Sequence, residues 1–489
     1  MATLLRRLTS GTFFYGLGQF LPRLVRFLLL PVFTLFLTPA DYGVLELAGA
    51  AGGFLAIFLR LGLPGSATRF YFDYREGPEL KDYITTLAWF LSLVSLGVGM
   101  LALMAAPWVL QRWLPDLQYA PFFVLAAITA ILATNYELQL RLIQAREQAS
   151  LAARLSVSRA GISIALSLLL VVGLRMGATG VLMAEAVVAG LFLLQAVRYL
   201  APELRGNFRR ELLGASALYG LGILPGHLMG TFTPLITRGW LSTAESLSAV
   251  GLLGIATRFA LPMTLLVAAF QRAYQPVYFA LRQSQGEEDR QQLATAVRTI
   301  WTSALGIALL VGLGGPALIQ LMTPASFHDA APLLTILSFG FLGHTLYTLL
   351  GSEIYFKKKT WLIPAISAAS LLATLGVTAL TVEGFGAAGV AWATVAGYWA
   401  SALVASTVAS RLVHIPHHWL ALGRSTLVGG GLLVLGLLYP AQDPWMQLLR
   451  CGGAFAVFAT LLWITGDPTL REAANRLRQL RPRGEDETP

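Results

Sequence analysis

The stretch "YGLGQFLPRLVRFLLLP", residues Tyr15–Pro31, returns in altered form about two hundred residues later in the chain. The second copy reads "YGLGILPGHLMGTFTP", residues Tyr219–Pro234, and it keeps both prolines at the same spacing. Both copies are apolar enough to lie in a membrane, but only the first carries Arg23 and Arg26 in its middle. The repeat predicts a duplicated membrane helix that carries charge in one copy only.

The composition of the chain is typical of an integral membrane protein. Of its 489 residues, 56% are hydrophobic and 12% are charged, whereas soluble domains have about 25% charged residues. The net charge is +10, but the basic residues lie between apolar segments. There they set topology and contact anionic lipid headgroups, so they do not indicate nucleic acid. The single cysteine, Cys451, excludes an intramolecular disulfide and a cysteine-rich metal site.

Apolar segments of membrane-spanning length follow one another along almost the whole chain. We predict about fourteen spans, since about 20 apolar residues cross the hydrocarbon layer. They lie at residues 11–37, 43–64, 82–106, 119–141, 155–174, 177–197, 212–237, 247–271, 293–318, 330–352, 361–381, 386–410, 422–440 and 447–465. The first run has a basic start but no small-residue cleavage site, so it is predicted to be an uncleaved span.

The basic residues between the spans predict the orientation of the chain. With the N-terminus in the cytoplasm, 26 of them fall on the cytoplasmic side. Four fall on the opposite side, namely Arg112, Arg175, Arg238 and Arg450. The positive-inside rule therefore predicts that both termini are cytoplasmic.

The internal repeat extends beyond the YGLG stretch. Arg69 corresponds to Arg272, and "GATGV" at residues 177–181 corresponds to "GAAGV" at residues 386–390. Spans 1–6 thus resemble spans 7–12, and because six is even the two halves are parallel repeats. Such repeats are typical of transporters, with a substrate site near the membrane midplane between the halves.

The repeat and the spans together predict the fold class and the domains. We expect an all-α integral membrane protein in which two six-helix bundles form parallel repeats, with two extra C-terminal helices. The predicted domains are an N-terminal bundle at 1–205, a C-terminal bundle at 206–411, transmembrane helices 13 and 14 at 412–466 and a charged cytoplasmic tail at 467–489.

The paired prolines predict bent helices. Pro22 and Pro31 correspond to Pro225 and Pro234, and a proline inside a helix removes a backbone hydrogen bond and kinks the helix. We interpret all four as kinks in helices that move beside the cavity. The alternative is that membrane helices are generally rich in glycine and proline, but the repeated spacing favours the functional interpretation.

Five basic residues lie inside predicted spans, and a charge at the bilayer centre costs about 2.5–3.5 kcal/mol on insertion scales. They are Arg23, Arg26, Arg60, Arg159 and Arg258. Arg23, Arg26, Arg60 and Arg258 predict a cationic patch that faces the cavity between the halves. Snorkelling to the interface is the alternative, and it weighs most for Arg60, which lies nearer the cytoplasmic end of its span.

The acidic residues inside spans leave this patch largely uncompensated. Glu137 and Glu353 each have a basic residue four positions later, Arg141 and Lys357, which predicts pairs on the helix surface. Glu185 and Arg159 are expected to form a structural pair, or alternatively a proton site, in adjacent spans 6 and 5. A cationic cavity predicts an anionic substrate, and guanidinium groups favour phosphate through bidentate hydrogen bonds.

Other motifs carry little chemistry. The segment "HIPHHW", with His414, His417 and His418, resembles a metal cluster but has no cysteine or carboxylate beside it. Nucleotide-binding loops, nucleophile elbows and zinc-protease patterns do not occur in the sequence. We therefore expect no cofactor, no metal and no catalytic residues.

Several segments resemble the polysaccharide flippases of the multidrug/oligosaccharidyl-lipid/polysaccharide exporter superfamily. They are "LTPADYGVLELAGA" (37–50), "LRLGLPGSATRFYFDY" (59–74) and the GATGV and GAAGV motifs. The resemblance implies a flippase for undecaprenyl-diphosphate-linked oligosaccharides in the bacterial inner membrane, with two bundles around a cationic cavity. It implies a monomer that works with membrane lipids and with a polysaccharide polymerase and glycosyltransferases.

The resemblance also bears on the embedded arginines. Related flippases for the peptidoglycan lipid precursor carry cavity arginines on spans 1, 2 and 8. Arg26 or Arg23, then Arg60 and Arg258, fall on those spans of this chain. The resemblance thus implies that these residues hold the diphosphate, while the prenyl tail stays in lipid along spans 13 and 14.

Two other functions stay open at this point. A multidrug antiporter of the same superfamily needs unpaired acidic residues in its cavity, and the sequence has few. A membrane glycosyltransferase or polymerase needs catalytic carboxylates and commonly a large extracytoplasmic loop, and neither is present.

Overall fold

The chain is helical almost throughout in a computed structural model, which describes residue 18 and residues 20–464 except 78, 285, 358, 413–418 and 440–442. These residues include no β-strand. The helices of the N-terminal part are α1 (20–28), α2 (Leu30–Phe36), α3 (Pro39–Arg60), α4 (Leu63–Tyr74), α5 (Glu79–Trp113), α6 (Val124–Ala145), α7 (Ala149–Leu168) and α8 (Gly177–Leu200). Those that follow are α9 (Arg210–Ala244), α10 (Leu247–Phe259), α11 (Leu261–Ser284), α12 (Glu287–Leu309), α13 (Gly315–Met322), α14 (Ala330–Phe356), α15 (Ile363–Leu412), α16 (Trp419–Leu438) and α17 (Pro444–Ile464).

The predicted all-α membrane fold is confirmed, and the predicted count of fourteen spans stays approximate. Within the described residues, ten helices are long and apolar enough to cross a membrane, or eleven if one bent pair counts as a span. This count does not include predicted span 1, on α1 and α2, or predicted span 13, on α16. It also counts predicted spans 11 and 12, the two halves of α15, as one helix. Gly386 (φ 49, ψ −128) has a non-helical backbone inside α15, and it separates predicted spans 11 and 12.

The two copies of the proline motif differ in structure. In the first copy the helix is interrupted at Leu29, and Pro31 lies in the first turn of α2, where its missing N–H leaves no intrahelical hydrogen bond unmade. Pro22 lies within α1. In the second copy, Pro225 and Pro234 both lie inside the continuous helix α9. A kink at each of the four prolines stays a prediction.

The GATGV and GAAGV motifs have the same role in the two repeats. Asp41 Oδ1 accepts a hydrogen bond from the amide of Ala178 at 3.2 Å. Glu245 Oε2 accepts one from the amide of Ala387 at 2.8 Å. A carboxylate satisfies free amides and the positive end of the dipole at a helix N-terminus. GATGV thus begins α8 and GAAGV begins the second half of α15, and each start is capped by a carboxylate from the first turn of α3 or from the segment between α9 and α10.

The described chain packs as two compact units. One comprises the residues up to 255 together with Thr378–Val390, and the other comprises Ala256–Val377 and the described residues from 391 onward. Within the first unit α9 packs against α3 and α4, although the sequence repeat assigns α9 to the second half. The predicted domain boundaries at residues 205 and 411 stay predictions, and the predicted tail lies outside the described residues.

The segment between α8 and α9 is fastened to α5 and to the loop after α6. The amide of Asn207 donates to Asp82 Oδ1 at 2.7 Å, and Arg209 Nε pairs with Asp82 Oδ2 at 3.0 Å. Glu203 accepts a hydrogen bond from Arg146. Burial lowers the pKa of Arg146, but the hydrogen bond and the charge of Glu203 raise it by more, so the net shift is upward. The connection between the two sequence halves is therefore held in place by charge.

Candidate functional site

Arg26 lies where α1, α7 and α8 meet. Its Nη2 donates to Glu185 Oε1 on α8 at 2.9 Å, and Ser163 Oγ on α7 donates to the same oxygen at 2.9 Å. The side chain of Arg26 is nevertheless 54% exposed, against 28% for that of Glu185. A guanidinium has five N–H donors, so Arg26 retains donors that can bind a further anion.

Arg23 lies one turn before Arg26 on α1. It is exposed, and within the described part of the chain it forms no ion pair or hydrogen bond. Residues three apart lie on neighbouring positions of one helix face. The first span therefore presents two accessible guanidinium groups, of which one has a carboxylate partner.

The ion pair predicted between Glu185 and Arg159 is not formed. The prediction was wrong about the partner of Glu185. Glu185 binds Arg26, while the guanidinium carbon of Arg159 lies 4.8 Å from the ring centroid of Tyr136. The physical reason is depth. Ser163, one helical turn beyond Arg159, is the α7 residue that lies level with Glu185. The aromatic ring stabilises the Arg159 cation through its quadrupole.

Arg60, at the end of α3, lies in a second cluster of charges. Its Nε is buried and makes no hydrogen bond to the described residues, and the nearby charges of Glu137, Arg159 and Arg141 act on it. The predicted pair of Glu137 with Arg141 is confirmed, with Oε1 and Nε 3.1 Å apart. One carboxylate therefore lies among three arginines, and the cluster is net positive.

Arg258 lies on α10 and is partly buried. It belongs to the second unit, whereas Arg23, Arg26 and Arg60 belong to the first. A cavity shared by all four arginines stays a prediction.

Among the ion pairs that the sequence analysis missed is a mostly buried one between α9 and α3. Arg238 of α9, which was assigned to the extracytoplasmic side, places Nη2 2.9 Å from Glu46 Oε2 on α3. The two side chains are 19% and 13% exposed. Gly254 of α10 packs directly against the Glu46 side chain. A carboxylate inside span 2 and an arginine at the end of span 7 were visible signals, but their proximity depends on how the repeats pack.

Glu353 was expected on the surface of its helix beside Lys357, and this expectation was wrong. It is 3% exposed, because α14 is surrounded by α11, α12, α13 and α16. Lys357 contacts it through the backbone, where the amide of Lys357 donates to the carbonyl of Glu353 at 2.9 Å.

Within the described residues, no group of three or more His, Cys, Asp and Glu side chains is arranged to hold a metal ion. The histidine segment with His414, His417 and His418 lies outside the described residues. The first span upstream of residue 18 lies outside them as well.

Several solved structures share this fold. The inward closed conformation of the lipid II flippase MurJ has a TM-score of 0.68 and 12% identity, over 92% of this chain and 99% of that chain. An inward-facing multidrug resistance MATE family transporter of the MOP superfamily has a TM-score of 0.63 and 17% identity, over 82% and 94%. The Vibrio cholerae MATE transporter VcmN, as a mutant, has a TM-score of 0.52 and 15% identity, over 87% and 97%.

The sequence itself identifies the family. The family described as polysaccharide biosynthesis protein matches residues 8–282, which is more than half of the chain. Curated proteins provide no match. The resemblance stated from the residue motifs is confirmed at this level. The chain is thus a multi-pass membrane protein with the fold of MOP-superfamily transporters, and it belongs to the polysaccharide biosynthesis protein family.

Proposed function

We propose that the protein is a flippase that moves undecaprenyl-diphosphate-linked oligosaccharide across the bacterial inner membrane for polysaccharide biosynthesis. It works by alternating access of one cavity, as a monomer with both termini in the cytoplasm. The polysaccharide polymerase and glycosyltransferases of the same pathway are its partners, and it has no catalytic residue of its own.

One observation carries the proposal, namely the accessible positive charge on α1 inside the first span. Arg23 is exposed without a partner among the described residues, and Arg26 stays 54% exposed although it binds Glu185. A charged side chain inside a membrane costs free energy, and charged residues therefore occur there mainly where they face a cavity and bind a ligand. Two phosphate groups offer several oxygens to two neighbouring guanidinium groups, which suits bidentate recognition.

The charge balance of the first unit supports an anionic substrate. The clusters of Arg26 and Arg60 together contain five arginines and two carboxylates. The arginines are Arg23, Arg26, Arg60, Arg141 and Arg159, and the carboxylates are Glu137 and Glu185. An excess of three positive charges attracts a diphosphate and repels the organic cations that a multidrug exporter carries.

The sequence alone predicts that Arg258 of the other repeat joins this site, and the proposal keeps that role for it. The diphosphate binds Arg23 and Arg26 together with Arg258, while the uncharged glycan fills the remaining cavity. Arg60 attracts the diphosphate from the cytoplasmic end of the same path. Such a site explains why the repeat carries arginines in only one copy of the YGLG stretch.

The test is flipping of undecaprenyl-diphosphate-linked oligosaccharide in proteoliposomes that contain equal amounts of folded protein. Arg26→Ala and Arg258→Ala are compared with Arg112→Ala, which removes an exposed arginine at the end of α5. We expect transport to fall at least about tenfold in the first two, because a charge-assisted hydrogen bond contributes about 1.5–3 kcal/mol. Equal transport in all three variants removes the diphosphate site from the mechanism.

A multidrug antiporter is the second candidate, favoured by the fold shared with a MATE transporter at a TM-score of 0.63. It predicts efflux of an organic cation driven by sodium or protons, and no movement of the lipid-linked oligosaccharide. The same proteoliposomes loaded with a fluorescent organic cation distinguish the two functions.

A further inference from the structure

A cavity of about 590 Å³ lies within the second unit, between α13, α14, α16 and α17. It lies beside the π-helical turn Leu310–Gly314, which inserts an extra residue between α12 and α13. The helix ends around it, at Met322 and Leu438, are those that the charge distribution places outside the cytoplasm. All the described residues that line the cavity belong to the second unit.

Part of the cavity lining is apolar. Pro316 and Leu313 come from α13 and the π-helical turn before it, and Leu435 and Val457 come from α16 and α17. Leu435 and Val457 are about half exposed on the protein surface. A hydrocarbon chain that enters between α16 and α17 replaces lipid contacts with contacts to these side chains.

The lining also contains a cation and two hydrogen-bond acceptors. Arg450 lines the cavity and donates to the carbonyl of Tyr439, which leaves most of its N–H donors for a ligand. Gln320 Oε1 is buried and accepts no hydrogen bond within the described part of the chain. His328 Nε2 lies 3.1 Å from the Thr323 carbonyl, and because a carbonyl only accepts, Nδ1 of the neutral ring is left as an acceptor.

We propose that this cavity is a binding site for a glycerophospholipid of the outward-facing leaflet. Arg450 binds the phosphate, Gln320 and His328 accept hydrogen bonds from the hydroxyl or ammonium group of the headgroup, and one acyl chain lies against Leu435 and Val457. No carboxylate is among the described residues that line the cavity, so none of these side chains repels an anion. A buried acceptor such as Gln320 Oε1 is costly unless a donor reaches it, which favours headgroups that carry a donor.

The chemistry predicts a preference among lipids. Phosphatidylglycerol and phosphatidylethanolamine carry both a phosphate and a donor. Phosphatidylcholine carries the phosphate but has no N–H or O–H, so it leaves Gln320 unsatisfied. We expect the first two to bind several-fold more tightly, since one hydrogen bond contributes about 1 kcal/mol.

The experiment is a lipid titration of the full-length protein in detergent, followed by native mass spectrometry. Arg450→Gln is expected to weaken phosphatidylglycerol binding about tenfold. Arg112→Gln, at an exposed arginine expected on the same membrane surface, is expected to leave it unchanged. Gln320→Met is expected to reduce the preference for phosphatidylglycerol over phosphatidylcholine severalfold, because His328 then remains as the second acceptor. This ratio tests the proposal even if Arg450→Gln fails to fold.

Two results overturn the proposal. Equal binding by Arg450→Gln and Arg112→Gln, with an unchanged lipid preference in Gln320→Met, shows that the cavity selects no headgroup. Displacement of bound phosphatidylglycerol by undecaprenyl diphosphate assigns the cavity to the transported lipid instead. Retention of phosphatidylglycerol in the presence of undecaprenyl diphosphate, together with loss in Arg450→Gln, supports the phospholipid site.

Discussion

At the scale of single residues, a glycine and a distant carboxylate act together at the start of two helices. Gly177 has φ 57 and Gly386 has φ 49, a region that L-residues with a side chain rarely adopt. A Cβ on Gly177 would lie 3.1 Å from Asp41 Oδ1, and one on Gly386 would overlap the Glu245 carboxylate. The first glycine of each motif thus permits both the turn and the cap.

This arrangement predicts the effect of adding a methyl group. Gly386→Ala should destabilise the protein by about 1–3 kcal/mol, because it strains the backbone and displaces Glu245 from the amide of Ala387. Gly384→Ala is the matched control, since its Cβ meets open space. Thermal unfolding in detergent, followed by tryptophan fluorescence, should show a lower melting temperature for Gly386→Ala only. Equal melting temperatures contradict the role of Gly386.

The pair of Arg26 with Glu185 predicts competition between the carboxylate and the substrate. Glu185→Gln keeps the size of the side chain and an acceptor for Ser163, but it removes the charge that occupies Arg26. We expect undecaprenyl diphosphate to bind up to about fivefold more tightly, because a solvent-exposed ion pair contributes up to about 1 kcal/mol.

A binding titration in detergent measures this effect. Arg26→Gln is expected to shift the affinity in the opposite direction, and Glu383→Gln, at an exposed glutamate of α15, serves as the neutral control. Weaker binding by Glu185→Gln indicates that the carboxylate positions Arg26 for the diphosphate and does not compete with it.

At the scale of elements, the ion pair of Glu46 with Arg238 fastens α3 of the first repeat to α9 of the second. The pair is mostly buried, and Gly254 brings α10 against the same glutamate. If the repeats move apart during transport at this end of the membrane, the pair must break and both charges must meet water. Under the proposed function, we therefore expect the pair to stabilise one access state.

A double-mutant cycle tests this contact. Glu46→Gln or Arg238→Gln alone should cost about 3–5 kcal/mol of unfolding free energy, because each leaves a buried charge without its partner. The double variant should cost less than the sum of the two. Asp73→Asn, which breaks the exposed pair with Arg69, should cost less than about 1 kcal/mol. Strict additivity of the two single substitutions shows that the charges do not interact.

At the scale of the whole molecule, the predicted topology places two exposed arginines on opposite sides of the membrane. In a Cys451→Ala background, Arg112→Cys should react with a membrane-impermeant thiol reagent in intact cells, and Arg198→Cys should react only after the membrane is opened. The reason is that the positive-inside rule predicts the end of α5 at the extracytoplasmic surface and the end of α8 in the cytoplasm. The reverse labelling pattern contradicts the orientation.

The sequence was sufficient for the features that depend on local pattern. Hydropathy predicted the spans, and the recurrence of Pro31 in Pro234 predicted the repeat, because both signals can be read from the order of the residues alone. Partners far apart in sequence were not accessible in this way. Arg26 and Glu185 are 159 residues apart, and estimating depth from span ends misplaced Arg159 by one helical turn. The burial of Glu353 and the Glu46–Arg238 pair depend on helix packing, which periodicity does not encode.

The contact between Arg26 and Glu185 also has a consequence for synthesis. A ribosome that adds about 5–20 residues per second needs roughly 8–30 s to reach Glu185 after it has made Arg26. During that interval the first segment has its cation but not yet its counter-ion. We expect this segment to remain near the edge of the lipid until the sixth segment emerges, because a lone arginine at the bilayer centre costs about 2.5–3.5 kcal/mol. Its last step of integration then waits for a residue made much later.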